Sequence, residues 1–212
     1  MVKTRSAMEL SNFDNFIDKV DSLDIKTKHF SWIYNTDNQS DSVSIPLIAH
    51  NLANMKFCLV TVSDQNQNRI IEKLVAMDID VEKYISTDQL RFVKPESFLL
   101  QDGEIDKDVI IERFQSTIDE SAKQEWRGVL VVNDSSQLLK DIDIPLFLYI
   151  ENRLDQKCAD NPCTLLCLFD DRLVSGSLVA AVIKVHPAVG LGDDIVRNPF
   201  YVGPFTKQDY PA

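Results

Sequence analysis

Short apolar runs alternate along the chain with longer amphipathic stretches, the pattern of a mostly parallel sheet covered by helices. The runs predict strands at 29–34, 56–62, 90–93, 128–132 and 164–169, with an extended segment near 188–191. Helices are predicted between them at 44–54, 66–77, 106–124, 144–156 and 177–185. The stretch 106–124 shows the helical period best: Val109, Ile110, Phe114, Thr117 and Ile118 share one face, while Lys107, Glu112, Gln115, Asp119 and Lys123 lie largely elsewhere. Asp106 and Ser175 or Ser177 suit N-caps, and Pro145 suits a first helical turn. Residues 129–132 and 165–169 are apolar without alternation, as in central strands covered on both sides. The expected fold class is therefore α/β, with a mostly parallel central sheet and helices on both faces.

With 212 residues, 44% hydrophobic and 26% charged, the chain fits one such domain with a sizeable core. The division expected is an N-terminal extension over 1–28 with a short amphipathic helix at 11–21, an α/β domain over 29–205, and a tail over 206–212. No run reaches the roughly 18 apolar residues of a membrane helix, and the first ten residues lack a signal-peptide core. A cytoplasmic protein with no membrane contact is expected. The net charge of -11 argues against nucleic-acid binding by this chain alone, because phosphate contact needs a basic face.

The four cysteines fit a reducing compartment. Cys58 and Cys167 lie in apolar runs, where a thiol acts as a small buried hydrophobe. Cys158, Cys163 and Cys167 lack the Cys-x2-Cys spacing of a structural zinc knuckle, and His29, His50 and His186 form no local ligand pair. No metal and no cofactor are expected.

In a doubly wound sheet, ligands bind at the carboxyl ends of the strands. The loop after the first strand decides against a nucleotide cradle: residues 35–44 contain no glycine and no lysine, and Asp37 and Asp41 would repel a triphosphate. Asp134 and Asp170, which end apolar strands, look like magnesium-holding acids but equally suit caps or turns. There is no Gly-x-Ser-x-Gly elbow, and a Cys167–His186 nucleophile is disfavoured because an apolar strand raises a thiol pKa. No catalytic residue is predicted.

The densest segment is 182–201. Pro187 should end the preceding helix and place His186 at its C-terminus, where the helix dipole favours an imidazolium. Gly190 and Gly192 permit a tight bend, and Asn198-Pro199 should turn the chain so that Phe200 and Tyr201 fold back and Phe200 is buried.

Taken together, these segments resemble the MEDS domain, the methanogen and methylotroph sensory domain first named from a dichloromethane-responsive regulator. The resemblance runs from about His29 to Pro204. It rests on His29-x4-Tyr34, Ile45-Pro46-Leu47, Gly103-x2-Asp106, Glu151, Cys167-x-Phe169-Asp170, His186-Pro187 and Asn198-Pro199-Phe200-Tyr201. It implies a RecA-like fold without a phosphate loop and a sensory rather than enzymatic role in an archaeal or bacterial regulator. The family's Gly-Glu followed by tryptophan reads here Asn133-Asp134, with Gln137 following, and a commonly found tyrosine is Ile150, so another member's ligand does not transfer.

The expected ligand site is lined by His29, Tyr34, Asp134, Glu151, Asp170, His186 and Tyr201, with Pro187, Asn198, Pro199 and Phe200 as structural motif. Its partner would be an unidentified small molecule, a signalling protein, or both, with a homo-oligomer possible. Two alternatives stand beside this sensor: a divergent nucleotide enzyme using Asp134 or Asp170, and a pure interaction module.

Overall fold

A computed structural model of the protein describes residues 28–191 and 194–203. The helix expected at 11–21 lies outside these residues. The elements run β1 (Lys28–Tyr34), α1 (Asp37–Ala53), β2 (Phe57–Thr61), α2 (Asp64–Ala76), α3 (Val81–Ser86), β3 (Leu90–Val93), α4 (Pro95–Leu99), β4 (Leu100–Gln101) and β5 (Glu104–Ile105). They continue with α5 (Lys107–Lys123), β6 (Val129–Asp134), α6 (Ser136–Leu139), α7 (Ile144–Asp160), β7 (Cys163–Asp170), α8 (Gly176–Val185), β8 (Ala188–Leu191) and β9 (Asp194–Arg197). Seven strands form one sheet in the order β3-β2-β6-β7-β1-β8-β9, and every pairing is parallel except β8 with β9. This is an α/β fold with a mostly parallel central sheet, consistent with a RecA-like architecture.

Connection order explains the layers. The chain steps from β1 to β2 and β3 in one direction along the sheet, then returns through β6, β7 and β8. Right-handed crossovers must therefore place helices from the two halves on opposite faces. One face accordingly packs Phe30, Trp32, Leu130 and Leu166 against Ile48, Leu52 and Leu74 of α1 and α2. The other packs Val131, Leu165 and Phe169 against Phe114, Phe147 and Val182 of α5, α7 and α8. Consecutive strand residues alternate between these cores, so each strand serves both.

Helix starts follow the capping chemistry. Asp106 accepts hydrogen bonds from the amides of Asp108 and Val109, and Ser175 accepts one from Leu178. Both caps were legible in the sequence, as was Pro145 in the first turn of α7. Residues 35–44 behave differently from the expectation of a loop. Thr36 caps α1, and the helix begins at Asp37, seven residues before the predicted start at Ser44. The polar run misleads because Ser40, Asp41 and Ser44 are buried and the Ser42 and Ser44 hydroxyls bond the carbonyls of Gln39 and Ser40 within the helix. The short elements α3, α4, α6, the β4–β5 hairpin and β9 lack both a long amphipathic period and a continuous apolar run and were not predicted, although Asp102 and Gly103, both at positive φ, supply the hairpin's Asp-Gly turn.

The C-terminal segment joins the sheet as expected, through β8 beside β1 and β9 beside β8. Gly190 is required where it stands, because a Cβ there would fall 1.9 Å from the Trp32 ring. The chain is then clamped by Asn198. Its side-chain amide donates to the carbonyls of Ile183 and His186, and its Oδ1 accepts from the Phe200 amide. These carbonyls belong to the end of α8, where helical partners run out. Phe200 departs from the expectation of burial: it is 71% exposed. The turn sends Tyr201 inward to bond Asp155 at 2.5 Å, and this leaves its neighbour facing out.

The clamp and the aromatic therefore separate in stability. Asn198→Ala should cost about 1–3 kcal/mol by stranding buried carbonyls, whereas Phe200→Ala should stay within about 0.5 kcal/mol as an exposed substitution. Gly190→Ala should cost at least about 1–3 kcal/mol through overpacking against Trp32. Urea denaturation of the three variants measures all of these.

Candidate functional site

Three of the residues expected to line a ligand site meet at the carboxyl ends of the strands. Tyr34 ends β1, Asp134 ends β6 and Asp170 ends β7, and all three border an open cleft of about 710 Å³. The cleft straddles the places where connections leave for opposite faces, as between β2 and β6, which is where open α/β sheets bind ligands. The Tyr34 hydroxyl donates to the Asp134 carboxylate at 3.1 Å, and the Asn66 amide donates to the same oxygen at 3.1 Å. Burial, reinforced by the charge of Asp170, pushes the Asp134 carboxyl up to about 6 against the pull of Tyr34, Arg69 and Asn66. Burial first, and then the charge of Asp134, also raises the Tyr34 phenol.

Asp170 has the opposite balance. Burial works against its charge, but Arg172 clasps it in two hydrogen bonds of 2.7 and 2.6 Å and holds its carboxyl below the usual range. Arg172 also reaches Asp37 at 3.6 Å, and Arg69 bridges Asp37 and Asp41 at 2.8 and 3.1 Å. The cleft wall is acidic on balance, carrying Asp37, Asp64, Glu96, Asp134 and Asp170 against Lys94 and Arg172.

The other expected residues lie elsewhere. His29, Glu151 and His186 gather on the opposite face of the sheet under α7 and α8, with Cys167, and all four are buried. His29 Nε2 stands 3.2 Å from Glu151 Oε2 and 3.6 Å from Cys167 Sγ, while His29 Nδ1 faces Asp155 Oδ1 at 3.3 Å. Burial opposes a charge on His29, but Asp155, Cys167 and Glu151 together hold it well above its ordinary value. It lies between the side chains of Glu151 and Asp155. Glu151 is the converse: burial would raise it, and His29 holds it below the usual carboxylate range.

His186 corrects the dipole expectation. It caps α8, and its Nδ1 lies 2.8 Å from the Val182 carbonyl. Complete burial, followed by repulsion from His29, nevertheless lowers its pKa to about 4, so desolvation outweighs the helix terminus and the ring is neutral. A neutral ring bonding a carbonyl through Nδ1 carries its proton there, which leaves the Nε2 lone pair facing the cluster. Cys167 is pushed up to about 12 by burial first and then by Glu151, in the direction its apolar strand implied. Tyr201 borders this cluster indirectly, through Asp155.

Strand geometry explains the division. His29 and Tyr34 are five residues apart on one strand, and an odd separation puts side chains on opposite faces. Asn66, Ser136 and Arg172 are cleft residues that sequence reading did not single out, Arg69 braces Asp37 beside them, and Asp155 and Cys167 complete the buried group. Asp155 was legible as the residue one helical turn beyond Glu151 on the same face. Cys167 and His29 are 138 positions apart, beyond the reach of any spacing rule.

The Asp134 carboxyl gives the cleft a pH signature. Its folded pKa of about 6 exceeds the ordinary 3.8, so the native chain binds this proton more strongly. The resulting stability is fully present below pH 3.8 and lost as pH rises through 6, by up to about 3 kcal/mol. Relative to Asp134→Asn, the parent protein should thus weaken between pH 4 and 7, as read from paired urea titrations.

Comparison with known families covers most of the span that suggested a resemblance, but ends before Asn198-Pro199-Phe200-Tyr201. No curated protein matches the chain. A family model described as the MEthanogen/methylotroph, DcmR Sensory domain, MEDS, matches residues 28–187, from the first residue of β1 to the Pro187 that follows the α8 cap. With that match spanning most of the chain, the protein belongs to the MEDS family of sensory domains.

Proposed function

We propose that this chain is a non-enzymatic sensory module that takes a small polar ligand in the strand-end cleft and reports its presence to a partner protein. The observation that carries the reading is the Tyr34–Asp134–Asn66 group. It is a carboxyl tuned to about 6, held by Tyr34 and Asn66 and facing an open cleft where three strands end. Such a group suits a ligand that donates hydrogen bonds or carries positive charge, for example a small amine. The acidic wall disfavours phosphates, so the nucleotide-enzyme alternative gains no support from the cleft.

The relay would use the ion pairs at the rim. Arg172 links the β7 end to Asp37 in the first turn of α1, and Arg69 links Asp37 to α2. A cationic ligand competing for Asp37 or Asp170 would release Arg172 and change the charged surface that a signalling partner meets. This fits membership of a sensory family.

A thermal-shift screen of small amines, polar neutral metabolites and magnesium-ATP tests the reading. An amine or polar neutral compound should raise the melting temperature, with a gain in stability of RT ln(1 + [L]/Kd), about 2.7 kcal/mol at a hundredfold excess over Kd. Tyr34→Phe and Asp134→Asn should reduce that gain, and Arg172→Ala should alter it. Magnesium-dependent ATP turnover lost in Asp134→Asn would replace the sensor by the enzyme.

A further inference from the structure

We infer that His29, Glu151, Cys167 and His186 form a closed tetrahedral site for one divalent zinc ion, separate from the strand-end cleft. The site stands on geometry. Four ligand atoms from four elements (β1, α7, β7 and the α8 cap) lie within 4.8 Å of one another. Measured separations are 3.2 Å for His29 Nε2 to Glu151 Oε2, 3.5 Å for His186 Nε2 to the same oxygen, 3.6 Å for His29 Nε2 to Cys167 Sγ and 3.9 Å for Cys167 Sγ to Glu151 Oε2. A zinc ion bound at about 2.0–2.3 Å by nitrogen, oxygen and sulfur requires tetrahedral edges of about 3.3–3.8 Å. Four of the six edges already stand near those lengths.

Orientation of the imidazoles is the second, independent observation. Metal-ligating histidines give their other ring nitrogen to a carboxylate or a backbone carbonyl. His186 Nδ1 meets the Val182 carbonyl, and His29 Nδ1 faces Asp155. His186 Nε2 is fully buried, has no hydrogen-bond partner and is aimed into the group. A purely ionic cluster has no use for a lone pair pointed at a carboxylate, because both are acceptors. A cation between them satisfies both at once.

Zinc displaces the Cys167 thiol proton and any proton on His29 Nε2, so metal binding releases protons and is favoured as pH rises. Thiolate, two imidazoles and a carboxylate form a closed set with no open position, which marks a structural rather than a hydrolytic ion. Zinc would tie β1, β7, α7 and α8 together and, through Asp155, fix the hydroxyl of Tyr201.

Refolding the full chain under reducing conditions with one equivalent of cobalt(II) provides the test. The expected result is retention of one cobalt per chain, with intense visible bands of tetrahedral coordination and a thiolate-to-cobalt charge-transfer band in the near ultraviolet. Zinc should bleach both. Cys167→Ala, a small change at a buried site, should remove the charge-transfer band, whereas the Cys158→Ser/Cys163→Ser double variant should keep it. Asp155→Asn should weaken zinc by about 10–100-fold in competition with a chelator. X-ray absorption on the zinc-loaded parent, which needs no variant, should show one sulfur and three nitrogen or oxygen neighbours. The site is refuted if the folded parent retains no stoichiometric metal, if the bound metal has no sulfur neighbour, or if Cys167→Ala leaves the charge-transfer band intact.

Discussion

A pleated strand sends successive side chains to opposite faces, and β1 is the strand on which this protein uses both. It lies between β7 and β8 in the sheet. His29 near its start turns towards α7 and α8, while Tyr34 at its end joins the core facing α1. The neighbouring strands keep the same register. Ser31 stands opposite Cys167, and Tyr34 stands opposite Asp170. A slip of one residue in that pairing would exchange the two sets of polar groups and bury the wrong ones against apolar helices. Register is therefore what keeps a cleft-side phenol and a sequestered imidazole on one strand.

The two polar groups solve different electrostatic problems. In the cleft, Asp134 has Tyr34, Asn66 and Ser136 as hydrogen-bond donors and the field of Arg69, yet desolvation still prevails and its carboxyl remains weakly acidic. In the core, desolvation is more complete, yet Glu151 stays ionised because His29 lies 3.2 Å away. Buried ion pairs of this kind rarely add net stability, since the loss of water offsets much of the attraction. Their retention among Phe147, Phe169 and Val182 therefore speaks for a role other than holding the fold together. His186 sharpens the point, for a phenylalanine would fill space beside the Phe169 ring without an unsatisfied nitrogen.

Much of the architecture was legible from periodicity. Five parallel strands, the extended β8 and five long helices follow from apolar runs and caps, and Leu90–Val93 matches its predicted span to the residue. The errors have physical causes. The first two turns of α1 escaped because serines that bond within a helix look like loop serines. Phe200 was expected to fold back with Tyr201 at the Asn198-Pro199 turn, although adjacent side chains leave such a turn in different directions and only Tyr201 turns inward. The site residues were pooled into a single pocket, and the parity of the His29–Tyr34 spacing already separates them. The meeting of Cys167 and Asp155 with His29 was out of reach for another reason. Their roles arise only when β7 lies beside β1 and α7 crosses over both.

The Asn198 clamp also sets where force enters the domain. Residues 198–202 return to the end of α8, where Asn198 holds Ile183 and His186, Val202 holds Lys184, and Tyr201 reaches across to Asp155 on α7. The chain thus leaves the domain through a short tether knotted to two helices, both of which roof the buried histidines. Tension or rotation applied beyond residue 203 would be delivered to α7 and α8 rather than spent in slack chain. By the same linkage, any rearrangement of Glu151, Asp155 or His186 would turn the exit point itself. The domain's terminus is in this sense a lever whose fulcrum is one asparagine.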